Sequence, residues 1–134
     1  MTEQEKKELQ ERVKSVIERV NHAAVQAGRD PSEITLVAAT KMNDAERVQA
    51  AIEAGIRVCG ENRVQELQEK YEQNAYDGAP VHFIGHLQTN KVRQVVGKVS
   101  LIQSVDSERL LAAIDREAAR QGIVQDILLE VNIG

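Results

Sequence analysis

The stretch ITLVAATK, residues 34–41, decides the fold of this chain, because seven small or apolar residues run unbroken up to a lysine. Short runs of this kind are typical of parallel β-strands that are buried on both faces. Four further runs follow along the chain: IRVCG (56–60), VHFIG (81–85), VSLIQSV (99–105) and VQDILLEVNI (124–133). We therefore predict five parallel strands.

Stretches with the apolar spacing of amphipathic helices separate these runs. The first precedes residue 34 and begins with Thr2 and Glu5, which have the spacing of a capping box. The later stretches carry the following apolar positions: Ala45, Val48 and Ile52; Val64, Leu67 and Tyr71; Val92, Val95 and Val96; Leu110, Leu111, Ile114 and Ala118. One helix followed by repeated βα units implies an α/β fold with a parallel sheet and right-handed crossovers.

Two architectures fit this α/β pattern, an open doubly wound sheet and a TIM-like barrel. The first strand-to-helix turn, TKMND (40–44), has no glycine-rich phosphate loop, which weighs against a nucleotide-binding doubly wound sheet. A TIM-like barrel needs eight strands, so about five strands would form an incomplete barrel. On either interpretation we expect residues 1–134 to form a single domain, the N-terminal helix plus strands 1–5.

Composition excludes several classes of protein. The 134 residues include 17 Lys and Arg against 21 Asp and Glu, a net charge of −4, so we expect no general nucleic-acid binding. No apolar run approaches the ~20 residues that span a bilayer, and the polar start MTEQEKKELQ lacks a signal-peptide core, so we expect a cytoplasmic protein without a membrane partner. The single cysteine, Cys59, excludes an intrachain disulfide and a cysteine-rich metal site.

Polar residues follow strand after strand, and Lys41 is the most informative of them. It comes directly after the first apolar run, where burial would penalise the charged form of its amine. A neutral amine can attack an aldehyde and form a Schiff base. The alternative is a lysine whose charged end reaches from the strand end into solvent, and spacing alone favours that alternative.

The other candidate residues also have structural alternatives. Asn62 follows the second run and can contact a ligand, although a helix N-cap is the more common role of asparagine there. His82 and His86 have no third and fourth ligand at zinc spacing, so we predict no metal site. His86 is the better placed of the two to face a ligand. Cys59 has no evident base partner and is expected to be a small buried apolar residue.

Four segments in this order and spacing go beyond a generic α/β pattern. They are ITLVAATK (34–41), GENRVQE (60–66), HFIGHLQTNK (82–91) and LLEVNIG (128–134). Together they resemble the pyridoxal phosphate homeostasis protein family, also called the YggS/PROSC family, over essentially the whole chain. The third segment is nearly a signature of that family.

The resemblance implies a TIM-like barrel similar to the N-terminal domain of alanine racemase. It also implies that pyridoxal 5′-phosphate (PLP) is held as a Schiff base on Lys41, and it reverses the preference stated above for that residue. The segments around Asn62, Ile84 and Ser104 match stretches that line the cofactor cleft of the family. Its members have no established catalytic reaction and are thought to carry PLP, which keeps vitamin B6 and amino-acid pools balanced. We therefore expect a PLP carrier without catalytic residues.

This sequence departs from the family in length, since family members are substantially longer. The remainder of those proteins supplies strands 6 to 8, the loop and helix N-terminus that hold the phosphate, and an arginine near the pyridine nitrogen. We therefore expect an incomplete barrel that binds PLP weakly and reversibly. The alternative is a half-barrel that does not hold PLP tightly and acts only through self-association at its open edges or through a complementary fragment. An amino-acid racemase would need a second catalytic base from elsewhere.

Overall fold

The computed structural model describes residues 1–134 and contains one sheet of five strands in the order β1-β2-β3-β4-β5. Every neighbouring pair is parallel, which confirms the predicted topology. A doubly wound sheet reverses its strand order at a switch point, whereas this order never reverses. The architecture is therefore that of a partial TIM-like barrel. The strands are β1 (Val37–Ala39), β2 (Val58–Glu61), β3 (Val81–Phe83), β4 (Leu101–Val105) and β5 (Ile127–Leu129).

Of the four α-helices, the first precedes the sheet and the others follow β1, β2 and β4, and side chains cap the first, second and fourth. The helices are α1 (Glu3–Gln26), α2 (Ala45–Glu53), α3 (Val64–Glu72) and α4 (Glu108–Gln121). The predicted capping box of Thr2 and Glu5 is present, and Ser107 caps α4. None of these helices is both long enough and apolar enough to cross a lipid bilayer.

The stretch around Val92, predicted as a helix, is a short 3-10 helix, Thr89–Gln94. Val92 lies within this helix, and Val95 is its C-cap, whose amide donates to the Val92 carbonyl. Both side chains are buried. Their burial in the core explains the apolar spacing that we interpreted as α-helical.

The main core lies between the sheet and the helices. Cys59, Phe83 and Ile102 point into it from three strands, and Leu67 and Leu110 enter it from α3 and α4. Helix α3 differs from its prediction. Tyr71, expected on the buried stripe, is 47% exposed, whereas Lys70 is only 5% exposed. The helix therefore turns a charged side chain toward the sheet, and the reason is found at the carboxyl end of β2.

The opposite face of the sheet corresponds to the inside of a barrel. A Cβ atom placed on Gly60 would lie 2.9 Å from side-chain atoms of both Ile84 and Val37, so these two side chains close over the glycine. Nearby, the Gln103 amide lies 2.9 Å from Nδ1 of His82. Burial lowers the pKa of His82, which favours its neutral form. The inner face is thus a half-buried surface of mixed apolar and polar character.

Gly85 lets the ends of β2 and β3 approach each other. A Cβ atom there would lie 2.3 Å from the backbone oxygen of Asn62 and 2.7 Å from its Cα. Such distances are impossible without a backbone shift, whereas the side chains above Gly60 can rotate away. The close approach at Gly85 fixes the geometry of the edge at which the candidate residues lie.

We predict that Gly85→Ala lowers the free energy of unfolding by about 3 kcal/mol and Gly60→Ala by about 1 kcal/mol, because only the first forces the backbone to move. Urea denaturation followed by circular dichroism would measure both. Equal losses in the two variants would contradict the close approach at Gly85.

Candidate functional site

The structure brings the four predicted cofactor-binding residues to the same edge of the sheet. Lys41 follows the end of β1 by two residues, Asn62 and Ile84 directly follow β2 and β3, and Ser104 is the penultimate residue of β4. These strands are parallel neighbours, so their carboxyl ends meet at one edge. Ligands of parallel α/β folds bind at this edge.

Lys41 is not buried as its position after an apolar run predicted. Strand β1 ends at Ala39, and the next residue, Thr40, is buried. Lys41 lies in the turn that follows and is exposed. The expected desolvation of its amine is therefore wrong. The backbone around it is ordered by local hydrogen bonds, since the Asn43 side-chain amide donates to the Lys41 carbonyl at 3.0 Å.

Asn62 and Ser104 each have a buried side-chain oxygen without a hydrogen-bond partner, the atoms Oδ1 and Oγ. The preferred interpretation of Asn62 as a helix cap is wrong, because Arg63 occupies the N-cap of α3 and no side chain caps that helix. Leaving a buried polar atom unpaired costs about 1–3 kcal/mol, so each such atom requires an explanation. A ligand at this edge would provide partners for both.

Ile84 contributes an apolar surface, because its side chain lies with Val37 over Gly60. His86 is largely exposed, and its Nδ1 is 3.9 Å from a carboxylate oxygen of Asp106. The edge thus combines a lysine, two oxygens that can accept hydrogen bonds and an apolar floor. This is the usual composition of a small-molecule site, in which a few polar groups orient a ligand over an apolar surface.

The structure also contains a buried polar network, which the sequence did not predict, directly behind this edge. Glu61, the last residue of β2, is 0% exposed. Its Oε2 atom accepts hydrogen bonds from Thr40 Oγ1 at 2.9 Å, from Lys70 Nζ at 2.9 Å and from the Tyr76 hydroxyl at 2.7 Å. Burial and the Glu61 carboxylate together raise the pKa of Tyr76, so its hydroxyl remains a donor.

Lys70 connects this network to the turn that carries Lys41. Its ammonium group donates to the Thr40 carbonyl at 2.6 Å, to Glu61 and, at 3.2 Å, to Oε2 of Glu66. An ammonium group has three donors, so three acceptor groups satisfy it fully. Glu66 also accepts the Met42 amide at 2.9 Å. Burial alone would raise the pKa of Glu66, but the Met42 amide, Lys70 and Arg63 outweigh it and lower that pKa.

A signal for this network is present in the sequence. Glu66 and Lys70 have the i, i+4 spacing of a helical ion pair, which is common on exposed surfaces. Glu61 also shares the strand face of Cys59, two residues earlier, and that face turned out to be the core. Only the two observations together would have indicated a buried acid with a buried lysine.

Cys59 is fully buried in strand β2 and is not a candidate nucleophile. Burial, reinforced by the charge of Glu61, raises the pKa of its thiol to about 11. The thiol is therefore protonated at neutral pH, whereas the thiolate is the nucleophilic form. No three His, Cys, Asp or Glu side chains come together as a set of metal ligands.

Comparisons with known proteins agree with this architecture. The family described as "Alanine racemase, N-terminal domain" matches residues 12–134. Among curated proteins, the pyridoxal phosphate homeostasis protein of Aquifex aeolicus (strain VF5) is 44% identical over 124 residues, which cover 92% of this chain and 54% of that protein.

Two solved structures share the fold and more than 30% of aligned residues with this chain. An unknown protein from Bifidobacterium adolescentis has a TM-score of 0.90 at 39% identity, covering 98% of this chain and 58% of that one. PipY of Synechococcus elongatus PCC7942, solved with PLP bound, has a TM-score of 0.73 at 33% identity, covering 86% of this chain and 55% of PipY.

The chain spans about half the length of the curated relatives that it matches. Within that half, the sequence and the fold correspond to one family. The chain belongs to the family of the alanine racemase N-terminal domain, and the relatives it resembles there are pyridoxal phosphate homeostasis proteins.

Proposed function

We propose that this chain binds pyridoxal 5′-phosphate as part of vitamin B6 and amino-acid homeostasis, with the cofactor held as a Schiff base on Lys41. The observation that carries the proposal is the shared edge, where a lysine and two buried oxygens without partners lie at the carboxyl ends of neighbouring parallel strands. The names of the curated relatives and the PLP bound to PipY support the choice of ligand.

The residues present fit the reactive aldehyde and the aromatic ring of PLP, and we assign no residue of this chain to its phosphate. After losing one proton to solvent, the Lys41 amine can add to the aldehyde carbon. A C=N bond then forms, and the aldehyde oxygen leaves as water with the two remaining amine protons. Because Lys41 is exposed, this proton can pass directly to solvent.

The other three residues can orient the ring. The side chains of Ile84 and Val37 offer an apolar surface to one face of an aromatic ring. The Oδ1 atom of Asn62 can accept a hydrogen bond, and the Ser104 hydroxyl can either donate or accept one. We assign these residues to binding and none to catalysis, and we propose a carrier rather than an enzyme.

We predict that the unaltered chain, incubated with PLP, develops the absorbance band near ~420 nm that is general for Schiff bases of this cofactor. Borohydride reduction should then leave the adduct on Lys41 in a peptide map. Lys41→Ala should abolish both signals, because the variant lacks the amine that forms the bond.

Lys91→Ala is the matched control. Lys91 is also an exposed lysine, but it lies in the 3-10 helix after β3 and not in the turn after β1. This variant should keep the band and the adduct. An adduct distributed equally over several lysines, or no band at all, would contradict the assignment of Lys41.

We predict that Ser104→Ala changes stability and binding in opposite directions. Removal of the unpaired buried hydroxyl should raise the free energy of unfolding of the ligand-free chain by about 1 kcal/mol. It should also weaken PLP binding about five-fold, which corresponds to the loss of one hydrogen bond. Denaturation and titration at the Schiff-base band would measure the two effects.

Ser100→Ala provides the control, because the Ser100 hydroxyl already donates to the Val81 carbonyl at 3.3 Å. That variant should lose stability and bind PLP normally. If Ser104→Ala also loses stability, Ser104 is a structural hydroxyl and its place in the site is wrong.

A second candidate function is self-association without tight PLP binding. The exposure of β5, the outermost strand of the sheet, favours it. The side chains in and after this strand are apolar yet exposed, with Leu128 at 50%, Leu129 at 68% and Val131 at 73%. An open strand with apolar side chains can pair with another chain. We propose that a second copy of this chain covers that edge when no other chain does.

We predict that the chain self-associates in a dilution series measured by light scattering. Leu129→Lys should shift it toward monomer, because a charge on the edge opposes pairing. Val25→Lys, at an apolar residue of α1 that is 62% exposed, should leave association unchanged. A stable monomer over the whole series would rule out this second candidate.

A further inference from the structure

Hydrogen bonds hold the residue before Lys41 and the residue after it. On one side, the Thr40 carbonyl accepts from Lys70, and the Thr40 hydroxyl donates to Glu61. On the other side, the Met42 amide donates to Glu66. Lys41 lies between the two attachment points, so its backbone cannot move without breaking one of them.

Met42 provides a second and independent sign of constraint. Its φ angle is +63°, in the left-handed region that residues other than glycine rarely adopt. Its side chain is 86% exposed, so no packing holds it in that conformation. Within the turn, the Asn43 amide donates to the Thr40 carbonyl at 3.2 Å. The hydrogen bond from the Met42 amide to Glu66 is the contact that joins the turn at Met42 to helix α3.

Glu66 is not required to neutralise the buried network. Glu61 already pairs with Lys70 and receives hydroxyl hydrogens from Thr40 and Tyr76. The Glu66 side chain is 21% exposed and could turn to solvent. Instead, its Oε2 atom accepts both the Met42 amide at 2.9 Å and the Lys70 ammonium at 3.2 Å. Lys70 thus holds Glu66 in the orientation that reaches the turn.

We propose that Glu66, oriented by Lys70, is a positioning residue that fixes the turn 40–42 and so directs Lys41 toward its aldehyde ligand. This inference rests on the proposed Schiff base at Lys41. Helix α3 acts here through the backbone of the turn and touches no ligand. A preformed turn lowers the conformational entropy lost when the Schiff base forms, because less of the chain has to be ordered at that moment.

The test compares Glu66→Ala with Glu66→Gln and with Glu69→Ala. Glutamine can still accept the Met42 amide, so Glu66→Gln should retain most of the effect. Glu69 belongs to the same helix but contacts only the Gln65 side chain, so Glu69→Ala should have none. Two quantities are measured, the hydrogen-exchange rate of the Met42 amide in the ligand-free chain and the equilibrium constant for Schiff-base formation with pyridoxal, which lacks the phosphate.

In Glu66→Ala, exchange at Met42 should accelerate at least about ten-fold, as expected for a lost hydrogen bond to a charged acceptor. The amides of β3 should exchange at unchanged rates, and the Schiff-base equilibrium constant should fall about three- to ten-fold. An unchanged rate at Met42, or an unchanged equilibrium constant, overturns the positioning role while the proposed function stands. If the unaltered chain forms no Schiff base at Lys41, the proposed function fails and the positioning role fails with it.

Discussion

The carboxylate of Glu61 is buried completely, and its three donors come from three separate segments of the chain. Thr40 follows β1, Lys70 lies in α3, and Tyr76 lies between α3 and β3. A buried carboxylate without partners would cost several kcal/mol, and removing one partner of a buried pair typically costs about 3–5 kcal/mol. The three segments must therefore occupy their native positions together for the carboxylate to be tolerated.

This requirement explains why α3 turns Lys70 rather than Tyr71 toward the sheet. An apolar residue at position 70 would pack against β2 but leave the Glu61 charge unpaired. The aliphatic part of the Lys70 side chain instead crosses the margin of the core, and its ammonium group reaches the Thr40 carbonyl at the end of β1. One helix thereby connects two adjacent strands at the edge where the candidate ligand residues lie. The tight approach at Gly85 fixes the neighbouring ends of β2 and β3 in the same way.

The sequence was sufficient to predict the parallel sheet, because short apolar runs such as those ending at Thr40 and Gly85 alternate with stretches of helical spacing. The expected burial of both faces was wrong for β1 and β5, whose residues are half-buried or exposed. The sequence also predicted which residues share an edge, since parallel strands leave no other arrangement. The sequence failed to predict the environment of side chains whose burial changes when an element ends one residue earlier or when a helix rotates about its axis. The exposure of Lys41 and the unpaired oxygen of Asn62 depend on where a strand or a cap ends, to within one residue. Periodicity alone does not resolve such boundaries. The burial of Lys70 depends on the rotation of α3 about its own axis.

The contrast between the buried network and the strand ends in front of it supports the proposed position of the ligand. Behind the edge, Glu61 accepts from three donors and Lys70 donates to three acceptors, so this network offers no free capacity for a ligand. At the edge itself, Asn62 and Ser104 keep buried oxygens without partners. Glu61 and Asn62 are adjacent residues, so poor packing of the whole region does not explain the difference. A fold that satisfies an ionised carboxylate fully while leaving two neutral oxygens unsatisfied nearby has its stable framework in the network, which supports the proposal that the edge binds the ligand.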